Sequence, residues 1–153
     1  MQESKNKTLF VDLDGTLLTH LTNDQLDDII QKHGARSFMH EKPLKSTVSF
    51  LKKLKKANSK NMIIFTTARD SKHKDHTIRV LQRLRIKYDN ILFEINSGPR
   101  YIVNDMKPVG SVGNKLPYKT AYAVNLIRNK GIQGKDESFF EDHQDFPKIS
   151  LIT

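Results

Sequence analysis

Two aspartates one residue apart, Asp12 and Asp14, end a hydrophobic run and are followed at once by Gly15 and Thr16. On an extended strand, side chains at i and i+2 share one side and stand roughly 6.5 Å apart. Both carboxylates therefore aim at one point beyond the strand, while Leu13 turns away. Converging carboxylates repel unless a cation or a proton is shared between them. The pair suits a divalent metal, a nucleophile beside an acid/base, or both. Gly15 lacks the Cβ that excludes positive φ, so the backbone there turns sharply and can approach a ligand closely. Asp-Gly between hydrophobic runs is also a hairpin signal, but the strand before the pair and the Gly-Thr-Leu after it favour chemistry. An EF-hand is excluded, because its further oxygen ligands and closing Glu are absent.

The elements that must position this pair follow from periodicity. Thr8 to Asp14 reads as a strand, hydrophobic enough to be buried on both faces of a parallel sheet. Thr22 and Gln25 have capping-box spacing and open a helix whose inner face is Leu26, Ile29, Ile30 and His33, with Gly34 as its stop. Pro43 opens a second helix with Leu44, Val48, Leu51 and Leu54 inward. Met62 to Phe65 is a second strand running into Thr66, Thr67 and Arg69, and a third helix spans about His76 to Arg85 with Ile78, Leu81 and Leu84 inward. Ile91 to Ile95 and Tyr101 to Val103 are further strands, the latter ending in Asn104 and Asp105. Pro and Gly mark Lys107 to Lys119 as loop. The alternation of Tyr122, Val124 and Leu126 suggests a fifth strand over Ala121 to Ile127; Asp136 to Asp145 reads as an acidic surface segment, and Ile149 to Ile152 as a return to the sheet edge.

The fold class expected is α/β: a Rossmann-like parallel sheet of about five strands with helices on both faces. Residues 1–153 form a single domain, with 1–7 flexible. In such sheets ligands bind beyond the carboxyl ends of the strands, and here three strand ends carry suitable groups: Asp12 and Asp14, then Thr66, Thr67 and Arg69, then Asn104 and Asp105.

Composition narrows the partners. The net charge is +9, from 26 basic and 17 acidic residues, which favours an anionic partner. Lys45, Lys52, Lys53, Lys55 and Lys56 lie along one helix, and Lys72, Lys74, Arg79, Arg83, Arg85 and Lys87 in and around another. Solvated helix faces account for these charges better than a nucleic-acid surface, and no aromatic residues are interleaved for single-strand stacking. There is no cysteine, hence no disulfide, thiolate metal site or Cys nucleophile. No apolar run is long enough to cross a membrane and the N-terminus lacks a signal-peptide core, so the expectation is a soluble, cytoplasmic protein without membrane partners.

Phe10 to Leu17, Ile63 to Arg69 and Tyr101 to Asp105 together resemble motifs I, II and IV of the haloacid dehalogenase-like (HAD) phosphohydrolases. The resemblance covers Thr8 to Pro108 and is most similar to small capless members associated with capsule and lipopolysaccharide biosynthesis. It implies a phosphatase in which Asp12 attacks phosphorus to form an aspartyl-phosphate and Asp14 serves as acid, then base. It implies Mg²⁺ held by the Asp12 carboxylate, the Asp14 backbone carbonyl and Asp105. Thr67, or Thr66 before it, would donate to the phosphate. The family's basic residue has no clean match; Arg100 is the first choice, Lys107 the rival and Lys87 a poorer one. Asn104 stands where many members carry a second acid, which leaves the site one negative charge poorer. The implied substrate is a phosphomonoester such as a sugar phosphate, with an oligomer partner covering the open site as one arrangement. The alternative is a low-turnover HAD-fold binding module, or a nucleic-acid end phosphatase using its basic surface.

Overall fold

Residues 6–137 are described in a computed structural model of the chain. A parallel sheet in the order β1-β2-β3 is flanked by helices, with β1 at Thr8–Asp12, β2 at Met62–Thr66 and β3 at Asn90–Leu92. Val11, Ile63 and Phe65 supply the branched and aromatic side chains that pleated ladders pack well. β1 pairs with β2 from Thr8↔Met62 to Asp12↔Thr66, and β2 with β3 from Ile64↔Asn90 to Thr66↔Leu92. All three strands thus end at one edge.

β1 ends at Asp12, two residues earlier than expected. The Leu13 carbonyl accepts from the amides of Thr16, Leu17 and Leu18 at 3.2, 2.9 and 2.9 Å, and Gly15 takes φ +89°, so the chain curls just past the first aspartate. The expected positive-φ turn is therefore present.

α1 runs from Asn23–His33 and carries the expected capping box: Gln25 N–H donates to Thr22 Oγ1 at 3.2 Å, and Thr22 N–H to Gln25 Oε1 at 2.9 Å. Gly34, at φ +57°, stops it and a 3₁₀ stretch follows to His40. α2 at Lys45–Ala57 buries Leu51, with Val48 and Leu54 packed against the core. α3 spans Lys74–Leu84 and buries His76, Thr77, Val80 and Leu81, a face rotated from the expected Ile78, Leu81 and Leu84. The core gathers Leu13, Leu17, Leu18, Leu51, Ile63, Phe65, Val80 and Leu81. No described helix is long and apolar enough to cross a membrane.

Among the described residues the sheet has three strands, not five. Tyr101 to Val103 forms no ladder, and Tyr101 and Val103 are 87 % and 96 % exposed. Ala121 to Ile127 forms none either. Alternation says which side chains would share a face, but a strand also needs a neighbour to complete its hydrogen bonds. Ile149 to Ile152, and the acidic segment beyond 137, lie outside the described residues.

The described chain divides into two compact units, residues 6–97 with 126–132, and residues 98–125 with 133–137. The second unit is mostly irregular. Lys107 and Tyr118 exchange backbone hydrogen bonds at 3.0 and 3.2 Å and close the expected loop. The buried Asn114 knits its interior, with Nδ2 donating to the carbonyls of Pro108 and Leu116 at 2.9 and 2.7 Å. The short helix α4 at Gly134–Glu137 ends the described chain.

Candidate active site

Asp12 closes β1 directly across the ladder from Thr66, the last residue of β2. Neighbours in register place their side chains on the same face of a sheet, so a carboxylate and a hydroxyl share one strand-end position. Asp12 is half-buried, and Thr16 Oγ1 donates to its Oδ2 at 3.4 Å.

Asp14 is held from beyond β2. Arg69 donates Nε–H to Asp14 Oδ2 at 2.9 Å and Nη2–H to Oδ1 at 2.7 Å, the two parallel bonds of a fork. The other edge of the guanidinium faces Glu41: Nη1 donates to Oε2 at 2.9 Å and Nη2 to Oε1 at 2.6 Å. Nη1 also donates to Thr77 Oγ1 at 3.1 Å. All five guanidinium donors are thus used, as a buried arginine requires; Arg69 is 2 % exposed and so is Glu41. Behind Glu41, His76 Nε2 sits 2.7 Å from Oε2, and its Nδ1 lies 2.9 Å from Ser37 Oγ.

The charges of this cluster support one another. Burial works against the Arg69 charge, but the hydrogen bonds to Asp14 and Glu41 outweigh it and hold the guanidinium pKa above its ordinary value. Burial likewise opposes the Glu41 charge, yet the hydrogen bonds from His76 and then Arg69 bring its carboxyl below the usual range. The rotated face of α3 has the same origin, since Thr77 and His76 point inward to serve Arg69 and Glu41.

Thr67 is fully buried and its Oγ1 accepts the Arg69 N–H at 3.2 Å, so the hydroxyl stabilises the strand-end turn. Thr66 keeps 8 % exposure. Asp12, Asp14, Thr66 and Thr67 belong to the first unit; Arg100, Asp105 and Lys107 belong to the second. Arg100 and Asp105 are exposed and Lys107 half-buried, while Asn104 Nδ2 donates to Thr120 Oγ1 at 2.6 Å. Lys87 is exposed between α3 and β3. Among the described residues, no three His, Cys, Asp or Glu side chains gather to hold a metal. Two oxygens of the expected set do suit a hard cation: the Asp12 carboxylate, and the Asp14 backbone carbonyl, which receives no hydrogen bond among the described residues.

A second arginine comes to this loop from far along the chain. A Cβ at Gly15 would stand 3.1 Å from Arg128 Cγ. Asn129 N–H donates to the Gly15 carbonyl at 2.8 Å, and the Asn129 side-chain oxygen accepts from His20 N–H at 2.8 Å. Sequence reasoning missed Glu41, His76 and Arg128. Glu41 sits outside any periodic run, His76 reads as a helix-start residue, and Arg128 falls among other surface cations. Only the Asn129 to Gly131 turn, with φ +63° and +70° at its ends, left a trace as Asn-Lys-Gly.

No family model matches the sequence, and no curated protein matches it. A crystal structure of a protein from Vibrio cholerae, described only as a structural-genomics target, is similar at 17 % identity and a TM-score of 0.45. That alignment covers 90 % of this chain and 98 % of the other.

Proposed function

We propose that the protein is a Mg²⁺-dependent phosphatase of the HAD type, hydrolysing a phosphomonoester such as a sugar phosphate through an aspartyl-phosphate on Asp12. The observation that carries this reading is the unequal treatment of the two aspartates. Asp12 stands half-exposed at a strand end beside Thr66, whereas both Asp14 oxygens lie in the Arg69 fork. Asp12 lies where a phosphate could approach beyond the strand end, and Asp14 is held in a set orientation.

In the first step Asp12 forms a bond to phosphorus as the ester P–O bond breaks, and the leaving oxygen takes a proton from Asp14, which enters the step as the neutral acid and leaves it as the carboxylate that Arg69 holds. Water then attacks the phosphorus, its proton passes to Asp14, and Asp12 is released with inorganic phosphate. Arg69 positions Asp14 in both steps and does not touch the substrate. Thr66 donates to a phosphate oxygen, being the more exposed of the two hydroxyls. The Asp12 carboxylate and the Asp14 backbone carbonyl would hold a Mg²⁺ ion, which when bound would reduce repulsion between the anionic nucleophile and the phosphate.

Purified protein should release phosphate from an aryl phosphate only with Mg²⁺, and Asp12→Asn should lower the rate at least about a thousandfold while leaving the melting temperature near that of the wild type. Undiminished turnover in Asp12→Asn would sink the mechanism. The alternative reading, a nucleic-acid end phosphatase or binding module, draws on a groove of about 600 Å³ lined by Lys45, Lys52, Lys53, Lys56 and Arg83. A preference for 5′- or 3′-phosphorylated oligonucleotides over sugar phosphates in the same assay would select it.

A further inference from the structure

We propose that Arg128 is the cation that receives the substrate's phosphate group, taking the place for which the sequence offers only Arg100, Lys107 and Lys87. This rests on the phosphatase reading for its role in turnover, but the anion site itself does not depend on that reading.

Position is the first argument. The Arg128 stem crosses Gly15, the residue directly after Asp14, with Cγ at 3.1 Å and Cβ at 3.9 Å from where a glycine Cβ would be. A side chain at Gly15 would displace the arginine, so the glycine serves two needs, its positive φ and the closeness of this stem.

The second argument is how firmly the turn is fastened. Asn129 bonds the Gly15 carbonyl and the His20 amide, both at 2.8 Å. Two residues on, Gly131 is packed so closely on α2 that a Cβ would meet Ser46 Oγ. Ile132 N–H donates to Thr47 Oγ1 at 3.0 Å, and the same hydroxyl donates to the Thr16 carbonyl at 2.8 Å. Both ends of the turn that follows Arg128 are thus tied to the loop that carries Asp12 and Asp14.

The third argument is valence. Arg69 has all five donors matched by protein acceptors, and it already compensates Asp14 and Glu41. Arg128 is exposed and makes no hydrogen bond or ion pair among the described residues. A guanidinium on a fixed stem, beside the nucleophile's loop and with its fork open, matches two oxygens of a phosphate monoester. It would bind the dianion in the ground state and retain it through the displacement.

The test compares Arg128→Met, which keeps an unbranched stem over Gly15, with Arg128→Lys. Binding of inorganic phosphate is measured by calorimetry with Mg²⁺ present, KM and kcat are measured with an aryl phosphate, and melting temperatures confirm the fold. Arg128→Met should weaken phosphate binding about tenfold and raise KM correspondingly, with kcat little changed and kcat/KM falling by the same factor; Arg128→Lys should recover part of both. Unchanged phosphate affinity and KM in a folded Arg128→Met overturn the proposal, even where Asp12→Asn shows the phosphatase reading to be right. Phosphate binding that depends on Arg128 in a protein without turnover would keep the anion site and remove the phosphatase.

Discussion

Two clusters in the first unit are assembled from the same parts, a cation, a carboxylate and an imidazole. One is Arg69 with Glu41 and His76; the other is Lys72 with Asp27 and His73. Their contacts are equally short, 2.6 and 2.7 Å in the first and 2.8 and 2.7 Å in the second. Water separates them. The Arg69 and Glu41 side chains are 1 % and 0 % exposed, those of Lys72 and Asp27 57 % and 44 %. In the interior every donor must find a protein partner and each partner fixes the next, so the orientation of Asp14 is passed down from Ser37 and His76 through Glu41 and Arg69. Lys72 and Asp27 meet solvent, which replaces a lost partner, and only the His73 ring of that cluster is buried, where it helps tie α1 to the turn before α3.

The sharpest way to break this comparison is Glu41→Gln, which leaves the buried Arg69 with one charged partner. Denaturant unfolding should show a loss of about 3–5 kcal/mol. The loss for Glu41→Gln together with Arg69→Met should fall short of the sum of the single losses, because both belong to one network.

A smaller effect should follow pH. Glu41 lies below its ordinary value of 4.5 in the folded protein, so its contribution is complete above that value and is lost as the pH falls through the lower folded value. Wild-type stability should therefore decline more steeply below about pH 4.5 than that of Glu41→Gln, measured as unfolding midpoints across the acid range. Parallel acid limbs would mean that Glu41 is not the group responsible.

The smallest effect belongs to the surface cluster. Lys72→Ala should leave the unfolding midpoint almost unmoved, with any difference vanishing at high salt. A loss as large as that of Glu41→Gln would erase the distinction between the two regions.

Local chemistry made several of these elements legible in the sequence. Thr22 and Gln25 cap α1 because the two groups meet within one turn, and Gly34 stops it because its backbone takes positive φ. Gly15 turns as expected for the same reason. The inner face of α3 was not legible, because hydrophobicity ranks Ile78 above Thr77 whereas the buried Arg69 needs a hydroxyl. The Tyr101 to Val103 and Ala121 to Ile127 strands misled, since a hydrophobic pattern carries no information about whether a neighbouring strand supplies the ladder.

By itself, the sequence determined the paired aspartates at the end of a hydrophobic strand, the parallel α/β pattern around them, and the helix caps. Each depends on residues within a few positions of one another, where spacing alone settles geometry. Tertiary structure alone decided that Asp14 is clasped by Arg69, that Glu41 and His76 stand behind it, and that Arg128 crosses Gly15 from more than a hundred residues away. Those pairings are settled by burial and by the need to match every buried donor, and neither can be read from separation along the chain.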